Sequence, residues 1–328
     1  MRIARSWLEA TVLATRDVTP SVREFTLQPA LPVVPHSPGG HLQLQLLVDA
    51  NVQTRSYSLV GPALAQAYRI AVKRLDAGRG GSLAMWRLLP GDRVRISEPQ
   101  NHFPLDLQAP AYLLVAGGIG ITPLLHMAQT LAQRATGGGQ ALRMLYAARS
   151  EAELAYAGEL RTALGDRLNT LLSQQGQRID FAGEIAALPV GGQLLVCGPV
   201  NMLDAARQAW SAAGRAPSDL RYETFGSSGR LAPQAFRVRV PRHQMDIMVA
   251  ADCSLLDALD AAGVQTISDC KRGECGLCAM EVLGLQGEID HRDVFLSDAE
   301  KQQDTTICTC VSRVVGEITL DSAYRPET

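Results

Sequence analysis

Alternating apolar and polar positions dominate the first third of the chain. In the segment 39–48, three leucines alternate with polar residues, which is the two-residue period of a half-buried β-strand. Turn residues separate this segment from others of similar pattern, and one helical stretch, 82–89, interrupts them. The other predicted strands are 55–60, 68–74 and 92–97. Many short strands joined by turns predict a small β-barrel over residues 1–105.

From residue 106 to 228 the pattern changes to an alternation of strands and helices. The fully apolar segment 111–117 predicts a buried strand, and Thr122 with Pro123 predicts the cap and first turn of the helix after it. Later segments continue the alternation, with strands at 142–148 and 193–198 and a helix at 151–164. This order predicts a doubly wound parallel α/β sheet.

A glycine- and serine-rich segment, 226–233, predicts a linker to a third domain over residues 229–328. That domain begins with a hairpin pattern, and Ser254 with Asp257 then forms the S-x-x-D pattern that caps the start of a helix. A cysteine-rich loop and further short strands complete the domain.

Three cysteines of that loop, Cys270, Cys275 and Cys278, have the spacing C-x4-C-x2-C. With a distant fourth thiolate, this is the plant-type [2Fe–2S] ligand pattern. Zinc loops favour C-x2-C pairs and a histidine, so zinc is the weaker interpretation. Both Cys308 and Cys310 follow at a suitable separation, and the spacing alone leaves the fourth ligand open.

Composition excludes several other classes of function. The formal net charge is -2 with both signs scattered, so neither nucleic acid nor a membrane surface is expected as a partner. Charges interrupt the apolar residues near the N-terminus, and the longest apolar run, 111–121, is too short to span a bilayer. We therefore expect a cytoplasmic protein, in whose reducing surroundings the seven cysteines are free or metal-bound.

Two more segments of the third domain carry a family resemblance, DHRD at 290–293 and CVSR at 310–313. With the cysteine loop and the domain order, they make the whole chain resemble the phthalate dioxygenase reductase family, the reductase components of Rieske-type aromatic oxygenases and O-demethylases. The resemblance implies a flavin domain, a nicotinamide domain and a β-grasp plant-type ferredoxin domain, in that order. It selects Cys310 as the fourth ligand and implies a two-residue insertion in a hairpin within 282–293.

The resemblance also implies a flavin pocket in the barrel. The R-x-Y-S motif at 55–58 would place an arginine at the flavin phosphate, a tyrosine against the ring and a serine at the N5–O4 edge. The glycines before the 82–89 helix would form a phosphate-binding turn. FMN is preferred over FAD because the family loop closes on a single phosphate. The aromatic at position 225 would cover the flavin, although an ordinary core aromatic is the alternative. The expected FMN residues are Arg55, Ser56, Tyr57, Ser58, Val72, Lys73, Arg74, Gly80, Gly81, Ser82 and Phe225.

The glycine turn 117–123 lies between a strand and a helix, where a dinucleotide pyrophosphate binds. Together with CGP at 197–199, it resembles the nicotinamide domain of ferredoxin reductases. The cysteine of CGP would lie beside the nicotinamide ring, the alternative being a buried strand-end cysteine, and the threonine of the turn would line the cleft between the rings. Arg149 leaves NADH and NADPH both open, while the family favours NADH. The expected residues are Gly118, Gly120, Thr122, Pro123, Cys197, Gly198 and Pro199.

The three sites together imply a relay from NADH through FMN to a [2Fe–2S] cluster, and from there to a Rieske-type oxygenase. No side chain is expected to act as an acid or a base, and His291 is expected to be structural. Lys271 and Arg272 fit a docking role and a role as solvated charges equally well. Two alternatives remain: the reductase component of another monooxygenase or demethylase system, and a non-enzymatic iron–sulfur or zinc-binding sensor.

Overall fold

The computed structural model describes residues 7–48, 51–76, 78, 80–135, 141–225 and 231–322. The chain forms two compact units, the first ending at Glu223 and the second beginning at Thr224. The first unit contains both the predicted barrel and the predicted α/β domain. Residues 226–230 of the predicted linker lie outside the described residues. The three domain boundaries of the sequence analysis stay predictions.

The barrel of the first unit is a six-stranded sheet in the order β4-β3-β6-β1-β2-β5, with antiparallel neighbours. A bridge between Leu59 and Ile70 links the end of β4 to β5, the two edge strands. Inward-facing side chains such as Phe25, Leu44 and Ile70 form its core. The elements are β1 Leu8–Thr19, β2 Val22–Pro29, β3 His41–Val48, β4 Asn51–Ser58, β5 Tyr68–Lys73, α1 Gly81–Arg87 and β6 Arg93–Ile96. The predicted barrel is confirmed.

The second sheet of this unit has five parallel strands in the order β11-β10-β7-β8-β9. Every residue of β7 and β10 is buried, which explains why these strands are continuous apolar runs. The doubly wound sheet is confirmed. Its elements are β7 Ala111–Gly117, α2 Ile121–Ala135, β8 Ala141–Ala148, α3 Ala157–Leu164, β9 Leu168–Leu172, α4 Phe181–Ala187, β10 Gln193–Cys197, α5 Val200–Ala212 and β11 Leu220–Glu223.

Two helix starts were predicted wrongly in this sheet. Helix α2 begins at Ile121 after a 3-10 turn, so Thr122 is inside the first turn and is not its cap. The predicted helix at 151–164 begins only at Ala157, because Tyr156 adopts a left-handed backbone with φ 59. The buried Tyr156 hydroxyl donates to the Glu24 carboxylate at 2.9 Å, a contact with the barrel that no local pattern contains.

The second unit is a five-stranded sheet in the order β13-β12-β16-β14-β15. Strands β12 and β16 are parallel, the other pairs are antiparallel, and helix α6 contributes Leu255 and Leu259 to the core. The predicted hairpin, helix cap and β-grasp fold are confirmed; Ser254 Oγ accepts the Asp257 N–H at 3.1 Å. The elements are β12 Phe236–Val240, β13 Met245–Val249, α6 Leu255–Ala261, β14 Ala279–Asp290, α7 Asp298–Gln303, β15 Thr306–Cys308 and β16 Arg313–Asp321.

The hairpin expected within 282–293 is wrong. Residues 279–290 form the continuous strand β14, which pairs with β16 over nearly its whole length. The only irregularity in this pairing is a bulge, where Leu283 is the extra residue between pairs to Leu320 and Thr319. No helix among the described residues of either unit is long and apolar enough to cross a membrane.

Candidate functional site

The two nicotinamide motifs meet at the carboxyl ends of β7 and β10. A Cβ added to Gly120 would lie 2.1 Å from the carbonyl oxygen of Cys197, so only glycine fits between these strands. A Cβ added to Gly198 would lie 3.2 Å from the Gly117 Cα. The fold therefore brings together both halves of the expected dinucleotide site, at the sheet edge where such ligands bind.

The contact between the carboxyl ends of β7 and β10 is here called the nicotinamide junction. The remaining nicotinamide residues support it. Pro199 packs over Gly117: a Cβ added to Gly117 would lie 2.7 Å from Pro199 Cδ. The Thr122 hydroxyl donates to the carbonyl of Ile119 at 3.0 Å, so it holds the 3-10 turn in place. Pro123 is buried in the first turn of α2. Cys197 is fully buried, as both of its interpretations require.

The expected FMN phosphate residues also lie together. A Cβ added to Gly81 would lie 2.8 Å from Arg55 Nε, so the glycine turn packs directly against the arginine side chain. Gly80 has φ 73, and a Cβ there would strike Val48 at 2.5 Å. The Ser82 hydroxyl accepts the Leu75 N–H at 3.1 Å and so fixes the loop. Arg55 and the two glycines therefore lie together, with Arg55 Nη1 donating to the Thr54 carbonyl at 3.0 Å, and their role at a flavin phosphate stays a prediction.

A buried hydrogen bond links the end of the R-x-Y-S motif to the α/β sheet. Ser58 Oγ donates to Glu223 Oε2 at 3.3 Å, and Glu223 is 1% exposed. Glu223 ends β11 beside Cys197, its partner in the parallel ladder. The sequence analysis missed Glu223; the only local signal is an acidic residue at the end of a short strand. Beside Ser58 in β4, Tyr57 packs against the barrel core, and burial raises the pKa of its hydroxyl.

The other predicted flavin residues have mixed surroundings. Val72 is buried in β5, while Lys73 forms an ion pair with Glu153 at 3.3 Å. Arg74 Nε donates to Asp76 Oδ1 at 2.7 Å. Ser56 lies opposite Gln43 in the β3–β4 pairing. Phe225 is half-buried and belongs to the second unit. Its expected role over the flavin stays a prediction.

The cysteine loop precedes β14 and contains no helix or strand. Two backbone N–H groups, those of Arg272 and Glu274, each donate to Cys270 Sγ at 3.4 Å. Cys270 and Cys278 are buried, whereas Cys275 is exposed. A hydrogen bond from the Cys310 thiol, followed by those from the backbone, lowers the pKa of Cys270. Such donors stabilise a thiolate, the form that binds iron.

The two candidates for the fourth thiolate differ in their contacts. The Cys310 thiol hydrogen-bonds to both Cys270 and Cys278, whereas the Cys308 thiol does so to Cys278. The contacts favour Cys310. Among the described residues, no three His, Cys, Asp or Glu side chains are arranged to hold one metal ion. The full ligand set therefore stays a prediction.

The segments DHRD and CVSR hold Cys310 in place. The Ser312 hydroxyl donates to Asp293 Oδ1 at 3.0 Å and accepts the Arg292 N–H at 3.1 Å. Arg292 in turn forms a buried ion pair with Asp290 at 2.6 Å. These two segments carried the resemblance, and here they contact one another directly.

Comparison with known proteins agrees with these sites. Residues 114–208 match the family described as an oxidoreductase NAD-binding domain, and residues 239–315 match the 2Fe-2S iron-sulfur cluster binding domain. The heme-dependent oxidative N-demethylase beta subunit of Ectopseudomonas mendocina (strain ymp) is 40% identical over 94% of this chain and 96% of its own. Phthalate dioxygenase reductase of Burkholderia cepacia is 34% identical over 91% of each chain.

A solved phthalate dioxygenase reductase, described as a modular structure for electron transfer from pyridine nucleotides to [2Fe–2S], matches with a TM-score of 0.77. It is 31% identical, and the match covers 97% of this chain and 98% of that one. The chain belongs to the phthalate dioxygenase reductase family.

Membership confirms the class of activity expected from the sequence. The chain is an electron-transfer oxidoreductase, the reductase component of an oxygenase system. The family and its fold also support the three expected cofactors, FMN, NADH and a [2Fe–2S] cluster. The non-enzymatic sensor is thereby excluded.

For Arg272, both interpretations left open by the sequence, a docking charge and a solvated charge, are wrong. The Arg272 side chain is 5% exposed and forms an ion pair with Glu274 at 3.1 Å, so it is not a docking charge. Lys271 is one-third exposed, with its ammonium 3.7 Å from Asp257. The distance between His291 Nε2 and Asp304 Oδ1 is 3.0 Å, an arrangement that agrees with a structural role.

Proposed function

We propose that this reductase takes hydride from NADH and delivers single electrons to a Rieske-type oxygenase in the cytoplasm. The observation that carries the proposal is that the fold brings together the separate sequence motifs expected to form each site. Gly120 meets Cys197, Gly81 meets Arg55, and Cys310 contacts both Cys270 and Cys278.

The residues of the first unit bind and orient the cofactors. Bound FMN supplies the conversion between two-electron and one-electron chemistry. Arg55, Gly80 and Gly81 would hold its phosphate. Gly120 lets the two halves of the nicotinamide site meet, because a Cβ at this position would strike the Cys197 carbonyl. The buried Glu223 carboxylate fixes the Ser58 hydroxyl, so that this group is positioned before NADH arrives.

In the second unit, we propose Cys270, Cys275, Cys278 and Cys310 as the cluster ligands. The N–H groups aimed at Cys270 supply second-shell hydrogen bonds of the kind that tune such clusters. Cys275 is the exposed member of the set, and Leu277 and Phe295 beside it are about half exposed. This surface is where we expect electrons to leave the protein.

A second partner class is favoured by one observation. The 40%-identical relative is named as the beta subunit of a heme-dependent oxidative N-demethylase, so a heme-dependent demethylase is the second candidate partner. The discriminating experiment mixes the NADH-reduced protein with a purified Rieske oxygenase and, separately, with a heme-dependent demethylase subunit. Faster turnover of the Rieske protein supports the proposal, and faster turnover of the heme protein overturns it.

The relay itself is tested by Cys278→Ser in the full-length protein. Without a cluster, NADH should still bleach the flavin at an unchanged rate, whereas NADH-driven reduction of cytochrome c should fall by about 100-fold or more. NADPH in place of NADH should give a lower kcat/KM in the wild type. Unchanged cytochrome c reduction in the variant would contradict the proposed order of electron transfer.

A further inference from the structure

A cavity of about 600 Å³ in the first unit includes none of the residues expected to bind a cofactor. It lies among the second half of α5, the start of β11 and the loop after β6, and only residues of this unit line it. A cavity of this size accommodates a small organic molecule. Its walls include His102, Phe103, Arg207, Trp210, Arg221 and Tyr222.

Cationic side chains dominate the polar part of this cavity. Arg207, Arg215 and Arg221 line it, and none of the lining residues in the described chain is Asp or Glu. Arg215 is fully engaged elsewhere, since it donates to the carbonyls of Pro189 at 2.8 Å and Ile185 at 2.6 Å. The other two arginines therefore give the cavity its free positive charge.

Both of these arginines have a buried nitrogen without a hydrogen-bond partner in the described part of the chain, Nη1 of Arg207 and Nε of Arg221. The Arg207 guanidinium lies 5.9 Å from the centre of the Tyr222 ring, a contact with the ring face that leaves Nη1 unpaired. A buried donor without a partner is destabilising, and more so when it is charged. Both side chains line the cavity, so an anion held there would lie beside two guanidinium groups.

Another part of the wall is apolar, while His102, Ser211 and Tyr222 add polar atoms. Phe103, Pro104, Pro217 and Leu220 line it, and Trp210 adds the edge of a buried indole whose N–H already donates to the Ala216 carbonyl at 2.9 Å. Guanidinium groups bind carboxylates and phosphates in paired hydrogen bonds. A ligand that fits both the arginine part and the apolar part of the cavity has one carboxylate or phosphate on an apolar body.

We propose that this arginine cavity binds a small organic anion, in which a carboxylate or phosphate is joined to a ring-sized apolar body. Arg207 and Arg221 bind the charged group, and the Phe103 side of the cavity contacts the apolar body. The site is distinct from the cofactor residues of the same unit, and binding there does not depend on the cluster.

The test is calorimetric titration of the cofactor-loaded full-length protein with four probes. Benzoate and phenyl phosphate carry both features, benzyl alcohol lacks the charge, and inorganic phosphate lacks the ring. We expect at least one of the first two to bind at least tenfold more tightly than either of the last two. Arg207→Gln and Arg221→Gln should each weaken that binding at least tenfold, while the exposed Arg93→Gln should not change it.

Thermal unfolding provides a second readout. Saturating benzoate or phenyl phosphate should raise the Tm of the wild type, and this rise should be lost in Arg207→Gln. If Arg207→Gln does not fold, Arg207→Lys keeps the charge, loses the paired geometry and should lose most of the rise. Absence of binding, equal binding of benzyl alcohol or inorganic phosphate, or binding unaffected by the arginine variants would overturn the proposal.

Discussion

The nicotinamide junction and the cysteine loop hold their sites by different means. At the junction, Gly120 touches backbone, the carbonyl of Cys197 at the end of β10. In the loop, an added Cβ at Gly276 would meet the Phe295 ring at 2.2 Å, and one at Gly273 would meet a Val311 methyl at 2.6 Å. Gly120 therefore faces backbone of a sheet strand, whereas Gly276 faces a side-chain ring.

This difference teaches where each site derives its rigidity. Backbone in a parallel sheet cannot move without breaking ladder hydrogen bonds, so the junction is preformed. Side chains can rotate away. In addition, the loop must keep Lys271, Gly273 and Gly276 in the left-handed backbone region. We therefore expect the loop to depend on its bound cluster much more than the junction depends on NADH.

The largest expected effect is loss of the cluster in Cys310→Ser. Removal of the thiol that contacts both Cys270 and Cys278 should eliminate the visible absorbance of the cluster and leave the flavin bound. The matched control is Cys308→Ser, which should retain the cluster. Iron content and absorbance measure both. Loss of the cluster in Cys308→Ser, with the cluster retained in Cys310→Ser, would reverse the ligand assignment.

Gly120→Ala should show the next largest effect, at the preformed site. Its methyl would lie 2.1 Å from a carbonyl oxygen that the sheet holds, so we expect about 3 kcal/mol of lost unfolding free energy, in the range for overpacking. NADH affinity should fall as well. Urea denaturation and NADH titration measure the two effects, and wild-type values for both would show that the junction can move.

Gly276→Ala is the corresponding change in the loop. The Phe295 ring can rotate away, so the main cost is the positive φ of 74, about 1 kcal/mol for a non-glycine residue. We expect a smaller loss of unfolding free energy than for Gly120→Ala in the same urea experiment. A larger loss would contradict the comparison between backbone-held and side-chain-held sites.

The sequence predicted the junction better than its surroundings. Strands β7 and β10 are continuous apolar runs, and their terminal glycines required close backbone approach, so pattern and chemistry sufficed. The left-handed Tyr156 and the buried Glu223 depend on partners in the barrel, Glu24 and Ser58, that lie far away in the chain. Long-range contacts of this kind leave no local pattern.

A long-range contact also explains why the environment of Arg272 in the cysteine loop was not predicted. Arg272 is charged and stands between cysteines, which locally predicts an exposed side chain. Its burial depends on Glu274, whose other carboxylate oxygen accepts the Thr224 N–H at 2.9 Å. Cys310 could be preferred only through the resemblance, because the spacing also allowed Cys308.

Glu223→Gln should have a moderate effect confined to the first unit. The amide keeps the shape and can still accept from Ser58, but the charge that holds the hydroxyl is lost. We expect the rate of flavin reduction by NADH to fall about tenfold, with the cluster spectrum unchanged. Stopped-flow absorbance measures this rate, and an unchanged rate would remove Glu223 from the positioning role.

The smallest expected effect is that of Lys271→Glu. Its ammonium is partly exposed and already near Asp257, and surface pairs of this kind contribute about 0–1 kcal/mol. Electron delivery to the oxygenase should change less than twofold at low salt. A fivefold or larger decrease, with dye reduction intact, would make Lys271 a docking residue after all.

Anaerobic titration of the purified protein with NADH tests the relay most directly, with absorbance and electron paramagnetic resonance recorded together. We predict a yellow-brown protein whose flavin absorbance bleaches and whose spectrum gains the signal of a one-electron-reduced [2Fe–2S] cluster within the same additions of NADH. Bleaching of the flavin with no cluster signal at any NADH concentration would contradict the account.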